Sequence, residues 1–136
     1  MYILNLPPTS KNPPELFTGD VWADFLAVPQ PGTDQRATVA KVRFAPGART
    51  AWHSHARGQF LHVTDGVAWF GTRDGTVVEV RPGQTLYTPP GVEHWHAAAD
   101  GCFMEHIALM EAGDDPAANV TWLEHVADAD FHGPQA

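Results

Sequence analysis

Two blocks of residues stand at fixed spacing in this chain, and they constrain its fold more than any other feature. The first runs from Gly47 through five residues to His53-Ser54-His55, three more to Gln59 and six more to Gly66. The second runs from Gly83 through five residues to Pro89-Pro90-Gly91, then two more to His94. His53 and His55, two apart on an extended strand, project from one face and can chelate one ion. Gln59 is expected on the next strand, beyond the turn at Arg57-Gly58, and His94 on a second hairpin shaped by Pro89 and Gly91. Three imidazoles and one amide oxygen are neutral donors suited to a divalent first-row transition metal. Eight histidines in 136 residues yield about half a His-x-His pair by chance, so the conjunction of the two blocks carries the reading.

The rest of the chain reads as one all-β domain. Pro7-Pro8 and Pro13-Pro14 bar a helix or a central strand from residues 1–20, which are expected to form an arm over a surface or a partner subunit. Residues 21–136 form the barrel domain, with turn signals at residues 29–34, 45–47, 65–66, 73–75, 82–83, 89–91 and 100–101. Such punctuation predicts an antiparallel barrel or sandwich, and only residues 127–131 leave room for a helical turn.

Strand alternation then assigns faces. Ala40, Val42 and Phe44 turn inward, opposite Lys41 and Arg43, while Gln59, Leu61 and Val63 turn inward and His62 outward. Met104, His106, Ala108 and Met110 share a face opposite Phe103, Glu105, Ile107 and Leu109. Neither face is purely apolar, which leaves open which one is inside. Ala40, Val42, Phe44 and Met110 are the candidate walls of a substrate pocket. His96 has the parity of His94 and faces the cavity. His96 and His106 are candidate general acid/base groups, or else orient the ligands through hydrogen bonds.

Eight basic against sixteen acidic side chains, a net charge of −8, disfavour nucleic acid and anionic membrane as partners. Cys102 is the only cysteine, so no intramolecular disulfide can form. No signal peptide and no apolar run long enough for a membrane span are read, and a cytoplasmic location is expected. The arm, the outward His62 and five tryptophans in a small domain predict a homodimer or homotetramer. Gln59 adds a charge argument. Three His and Glu leave a divalent site at formal charge +1, whereas three His and Gln leave +2, favouring Lewis-acid chemistry over oxidation of the metal.

The blocks at residues 47–66 and 83–98 resemble the paired motifs of the cupin superfamily, where Glu is usual at the place of Gln59 and Asn at that of Ala98. Ala48-Arg49-Thr50-Ala51-Trp52-His53, His94-Trp95-His96 and the closing Trp122-Leu123-Glu124-His125-Val126 look like the bacterial cupin hydroxynitrile lyases. The resemblance implies a small antiparallel β-barrel, or jelly roll, holding Mn(II) on His53, His55, Gln59 and His94. Fe(II), Ni(II) and Zn(II) also suit these donors. It further implies C–C cleavage or formation at a small cyanohydrin or related hydroxy compound, with the metal as Lewis acid and His96 or His106 moving the proton. Two other functions stay open. One is an Fe(II) or Mn(II) dioxygenase for a diketone or phenolic substrate, against which the missing glutamate counts. The other is a non-catalytic metabolite-binding cupin.

Overall fold

Glycine and proline cut the chain into short strands that curl into two antiparallel sheets, seen in a computed structural model that describes residues 1–135. The strands are β1 (Ser10–Lys11), β2 (Phe17–Thr18), β3 (Val21–Ala27), β4 (Ala37–Phe44), β5 (Arg49–Thr50), β6 (His53–His55) and β7 (Gln59–Gly66). They continue as β8 (Ala68–Thr72), β9 (Val77–Val80), β10 (Thr85–Thr88), β11 (His94–Ala98), β12 (Met104–Glu111) and β13 (Val120–Trp122). One sheet has the order β1-β3-β4-β12-β7-β10. In the other, β11 pairs on one side with β8, which pairs β9, and on the other with β5 and β6, flanked by β2 and β13.

Register stacks the interior of the larger sheet in rows. Val21, Phe44 and Met104 align at one end; Ala23, Val42, His106 and Val63 form the next row; Phe25, Ala40, Ala108 and Leu61 form the third. All of these except Phe25 are buried, so the face of β12 that alternation left undecided is the inner one. The first row is filled by large side chains. The second and third hold Ala23, Ala40 and Ala108, whose single methyl groups leave a hollow in the barrel, since side-chain volume alone decides whether such a layer closes.

The outer face of the smaller sheet is covered by the chain's own C-terminal segment. Trp52, Trp95, Ala97 and Val126 cluster there with Trp69, Val77, Leu123 and Phe131. Leu123 N–H donates to Trp52 O at 2.8 Å, and Trp52 N–H to Glu124 O at 2.9 Å. Arg49 donates to Val126 O at 3.2 Å and sits 4.6 Å from the Phe131 ring. This cover explains why all of β11 is buried: His94, His96 and Ala98 face the barrel, while Trp95 and Ala97 lie under the tail. Three of the five tryptophans are therefore packed within one chain, while Trp22 and Trp122 are exposed.

Some sequence expectations change. The connections at residues 56–58 and 89–93 are corners that carry the chain from one sheet to the other, not hairpin turns. Residues 65–66 form no turn but the end of β7, paired with Glu105 and Met104, and the register slips just before them at Thr64. A 3₁₀ turn at Pro116–Ala118, capped by Asp115, went unread although Asp-Pro is its usual start. Residues 127–131 do make a single turn, with Phe131 N–H donating to Ala127 O. Within residues 1–20, β1 and β2 join the sheet edges, and residues 4–7 lie beside Phe25 and Val28.

Gly66 has φ +72°, and a Cβ there would collide with the Phe103 carbonyl oxygen. Gly91 has φ +76° with open space around it. Gly91→Ala is expected to cost about 1 kcal/mol of stability from backbone strain alone, and Gly66→Ala about 3 kcal/mol because the Phe103–Met104 backbone must also shift. Urea unfolding of both variants checks the difference.

Candidate metal centre

The two blocks meet because one carbonyl holds both corners. His55 O accepts from Gly58 N–H at 3.3 Å and from Gly91 N–H at 3.0 Å. His53 stands directly opposite His94 in the β6–β11 pair, and Gln59 opposite Thr88 in the β7–β10 pair. Gln59 thus reaches the centre from the larger sheet and the histidines from the smaller. Ring centroids of His53 and His94 are 4.3 Å apart, those of His53 and His55 5.0 Å, and those of His55 and His94 5.4 Å. His96, parallel to His94 within 5°, joins them, and the ligand nitrogens of all four lie within 4.8 Å of one another. This buried four-histidine group suggests a divalent metal site.

Hydrogen bonds fix the tautomers. His53 Nδ1 lies 2.9 Å from Ala51 O, and His94 Nδ1 2.9 Å from Val92 O. A carbonyl only accepts, so both Nδ1 atoms carry the proton and both Nε2 atoms present lone pairs. His94 Nε2, His55 Nε2 and Gln59 Oε1 are buried without any partner. Each such orphan costs about 1–3 kcal/mol, a cost a bound cation removes. The donors present therefore fit the ion that the spacing implied.

His53 Nε2 instead faces His96 Nε2 at 3.0 Å, and His96 Nδ1 faces His106 Nε2 at 3.0 Å. With a lone pair on His53 Nε2, the protons run one way: His106 donates to His96, and His96 to His53. Burial keeps the whole group neutral. It pushes His55 and His106 each down to about 4 and His53 and His96 well below the usual imidazole range, with repulsion from His94 and His53 respectively adding to it. His94 is lowered by burial as well. Neutral imidazole is the form a metal binds.

Above these rings lies a cavity of about 140 Å³, with His53, His55, Gln59, His96 and His106 on its wall. Ala40, Val42, Phe44 and Met110 line it; alternation turns the first three inward and does not choose the face of Met110. Alternation on β3 and β4 was extendable to Ala23, Phe25 and Thr38, which also line it; Phe17, Val120 and Trp122 come from distant segments and were not legible as walls. Trp122 packs on His53 with centroids 4.6 Å apart. Among the described residues, no Lys, Arg, Asp or Glu borders the cavity.

Saturating Mn(II) is expected to raise Tm by roughly 10 °C, because an ion that binds only the folded chain stabilises it. His94→Ala should abolish the rise. Differential scanning calorimetry of metal-free protein with and without the ion checks both.

Three comparisons place the chain among known proteins. Residues 40–102 match the cupin domain. The chain is 43% identical over 124 residues, 90% of its length and 91% of the relative's, to an (R)-mandelonitrile lyase from Granulicella tundricola. The crystal structure of a cupin-like protein from Thermotoga maritima superposes with TM-score 0.81 at 33% identity, over 96% of this chain and 94% of that one. A polyketide cyclase from Streptomyces resistomycificus shares the fold alone, with TM-score 0.58 at 20% identity, over 71% of this chain and 75% of that one. On the first two likenesses and the paired motifs together, the chain belongs to the cupin family.

Proposed function

We propose that this cupin is a metal-dependent lyase that cleaves, and in reverse forms, the C–C bond of a small uncharged 2-hydroxynitrile. The observation that carries the reading is the neutral imidazole and amide cluster set on the wall of a cavity without charged side chains, in a chain 43% identical to a mandelonitrile lyase. An apolar cavity of about 150 Å³ holds a benzene ring, so a cavity of about 140 Å³ suits a single aryl group.

His53, His55, Gln59 and His94 would hold the ion, which we take to be Mn(II). When bound, it supplies Lewis-acid stabilisation of negative charge at the substrate's hydroxyl oxygen. Gln59, in place of a carboxylate, keeps the site at formal charge +2 and favours this over oxygen activation. Ala40, Val42, Phe44 and Met110 hold the apolar substituent.

His96 and His106 move the proton. With His53 Nε2 holding the ion, His96 Nε2 would have no acceptor there and would not donate to it. Each of the two rings could then exchange its Nε2 proton for one on Nδ1 through water in the cavity, so that His96 Nδ1 would donate to His106 Nε2 across the same 3.0 Å and the His96 Nε2 lone pair would be free. His96 takes the hydroxyl proton, the C–C electron pair leaves on the cyanide carbon, the carbonyl forms, and the proton returns from His96 to cyanide. Aldehyde and hydrogen cyanide account for every atom of the substrate.

Incubating the Mn(II)-loaded protein with mandelonitrile should release benzaldehyde above the metal-free control, and no release would refute the reading. His96→Phe should lower turnover roughly 100-fold while keeping the Mn(II)-dependent gain in Tm.

We also propose that the protein pairs, as a homodimer or homotetramer. Tyr87, Phe60, Leu109 and Val39 form a cross-strand row on the outer face of the larger sheet, with Phe60 and Tyr87 stacked 4.8 Å apart and half exposed. A row of this kind is commonly hidden against its own copy. Light scattering should give a mass of at least twice 14.8 kDa, reduced by Phe60→Asp. A wild-type mass equal to one chain would exclude pairing.

A further inference from the structure

Phe25 borders two hollows at once. On one side it closes the histidine-walled cavity, standing opposite Ala40 in the third interior row. On the other it borders a groove of about 350 Å³ between residues 4–7 and the segment from Phe25 to Val28, with Ala37 beyond. Its strand position explains this double role. Val21, Ala23 and Phe25 alternate inward, and directly after Phe25 the β3–β4 register slips before Ala27 pairs with Val39. Phe25 is left 39% exposed.

The groove's chemistry matches the cavity's. Leu4, Leu6, Pro7, Leu26 and Val28 supply apolar surface, and among the described residues no titratable side chain lines it. Its glutamines are occupied with the protein itself. Gln35 accepts from Ala37 N–H at 2.7 Å and donates to Val28 O at 2.9 Å, while Gln30 donates to the Tyr2 hydroxyl at 3.3 Å. The cavity, at about 140 Å³, is filled by one ring and its polar head, while the groove beyond Phe25 has room for a second apolar group.

We infer that cavity and groove are two parts of one binding site divided by Phe25, and that its ligand is an elongated uncharged molecule. Its polar head lies at the histidines, and a second aryl or alkyl group extends past Phe25 beneath residues 4–7. Phe25 is then the residue that sets substrate length. The inference rests on the lyase reading for the identity of the head group and on the two hollows for the rest.

The test measures binding of benzyl alcohol and of its 3-benzyl derivative to the full-length Mn(II)-loaded protein by calorimetry. The longer alcohol should bind roughly tenfold tighter, from partial burial of the second ring. Leu6 is 51% exposed, so Leu6→Glu can fold normally. It should cancel most of that ratio by placing a charge in the groove, whereas Phe25→Ala should enlarge it. Circular dichroism and Mn(II) content establish that each variant is folded and loaded before the ratio is read. Equal binding of the two alcohols by the wild-type protein would overturn the inference. So would a ratio insensitive to Leu6→Glu, including the case where that change alters only the oligomeric mass. If mandelonitrile is not cleaved yet the ratio behaves as stated, the lyase reading falls and the two-part site stands.

Discussion

Desolvation of the imidazoles is the constraint on which the rest of this structure depends. His53, His94, His96 and His106 are nearly inaccessible to water, in a barrel whose other inner side chains are mostly apolar. In such surroundings a protonated imidazole is costly, so the group is neutral, and neutral imidazoles side by side leave lone pairs facing one another. Only a few arrangements satisfy them. Backbone carbonyls take the Nδ1 protons of His53 and His94, and the remaining lone pairs converge with Gln59 Oε1 where a cation would neutralise them. The centre is built by removing water from donors and leaving one kind of partner that fits.

That requirement explains the scaffold around it. Donors from two sheets have to meet without slack, and the His55 carbonyl supplies the joint by holding both corners. The hollow above the centre is a matter of volume, since Ala23, Ala40 and Ala108 occupy layers that larger side chains would close. The same alanines set the volume of that hollow, about 140 Å³, with Phe25 at its boundary. The acidic surface of the chain does not reach the cavity, where charge would compete with the cation for the polar head of a substrate.

Much of this was legible in the sequence because glycine, proline and histidine act locally. Spacing located the ligand candidates, and period-two alternation placed Ala40, Val42, Phe44, Leu61 and Val63 inside. Alternation could not choose a face on β12, because one side mixes His106 with Met104 and the other mixes Glu105 with Ile107. Only the partners of that strand decide it. The corners at Gly58 and Gly91 looked like hairpin turns because turn residues report a change of direction and not which sheet the chain enters next. Trp122 and Phe17 gave no sign of reaching the cavity, since they approach through edge pairings far apart in sequence. The tryptophans of the smaller sheet suggested an intersubunit surface, but residues 123–131 cover them. His96 had the correct parity, yet its placement beside His53 rests on the curl of the sheet.

The most direct measurement is a crystal structure of the Mn(II)-loaded protein, with the ion located by anomalous scattering. The centre described here requires one ion bonded to Nε2 of His53, His55 and His94 and to Oε1 of Gln59, with His96 unbonded and turned towards the cavity. An ion bonded to His96 in place of Gln59, or no ion among these side chains at saturating Mn(II), would contradict it.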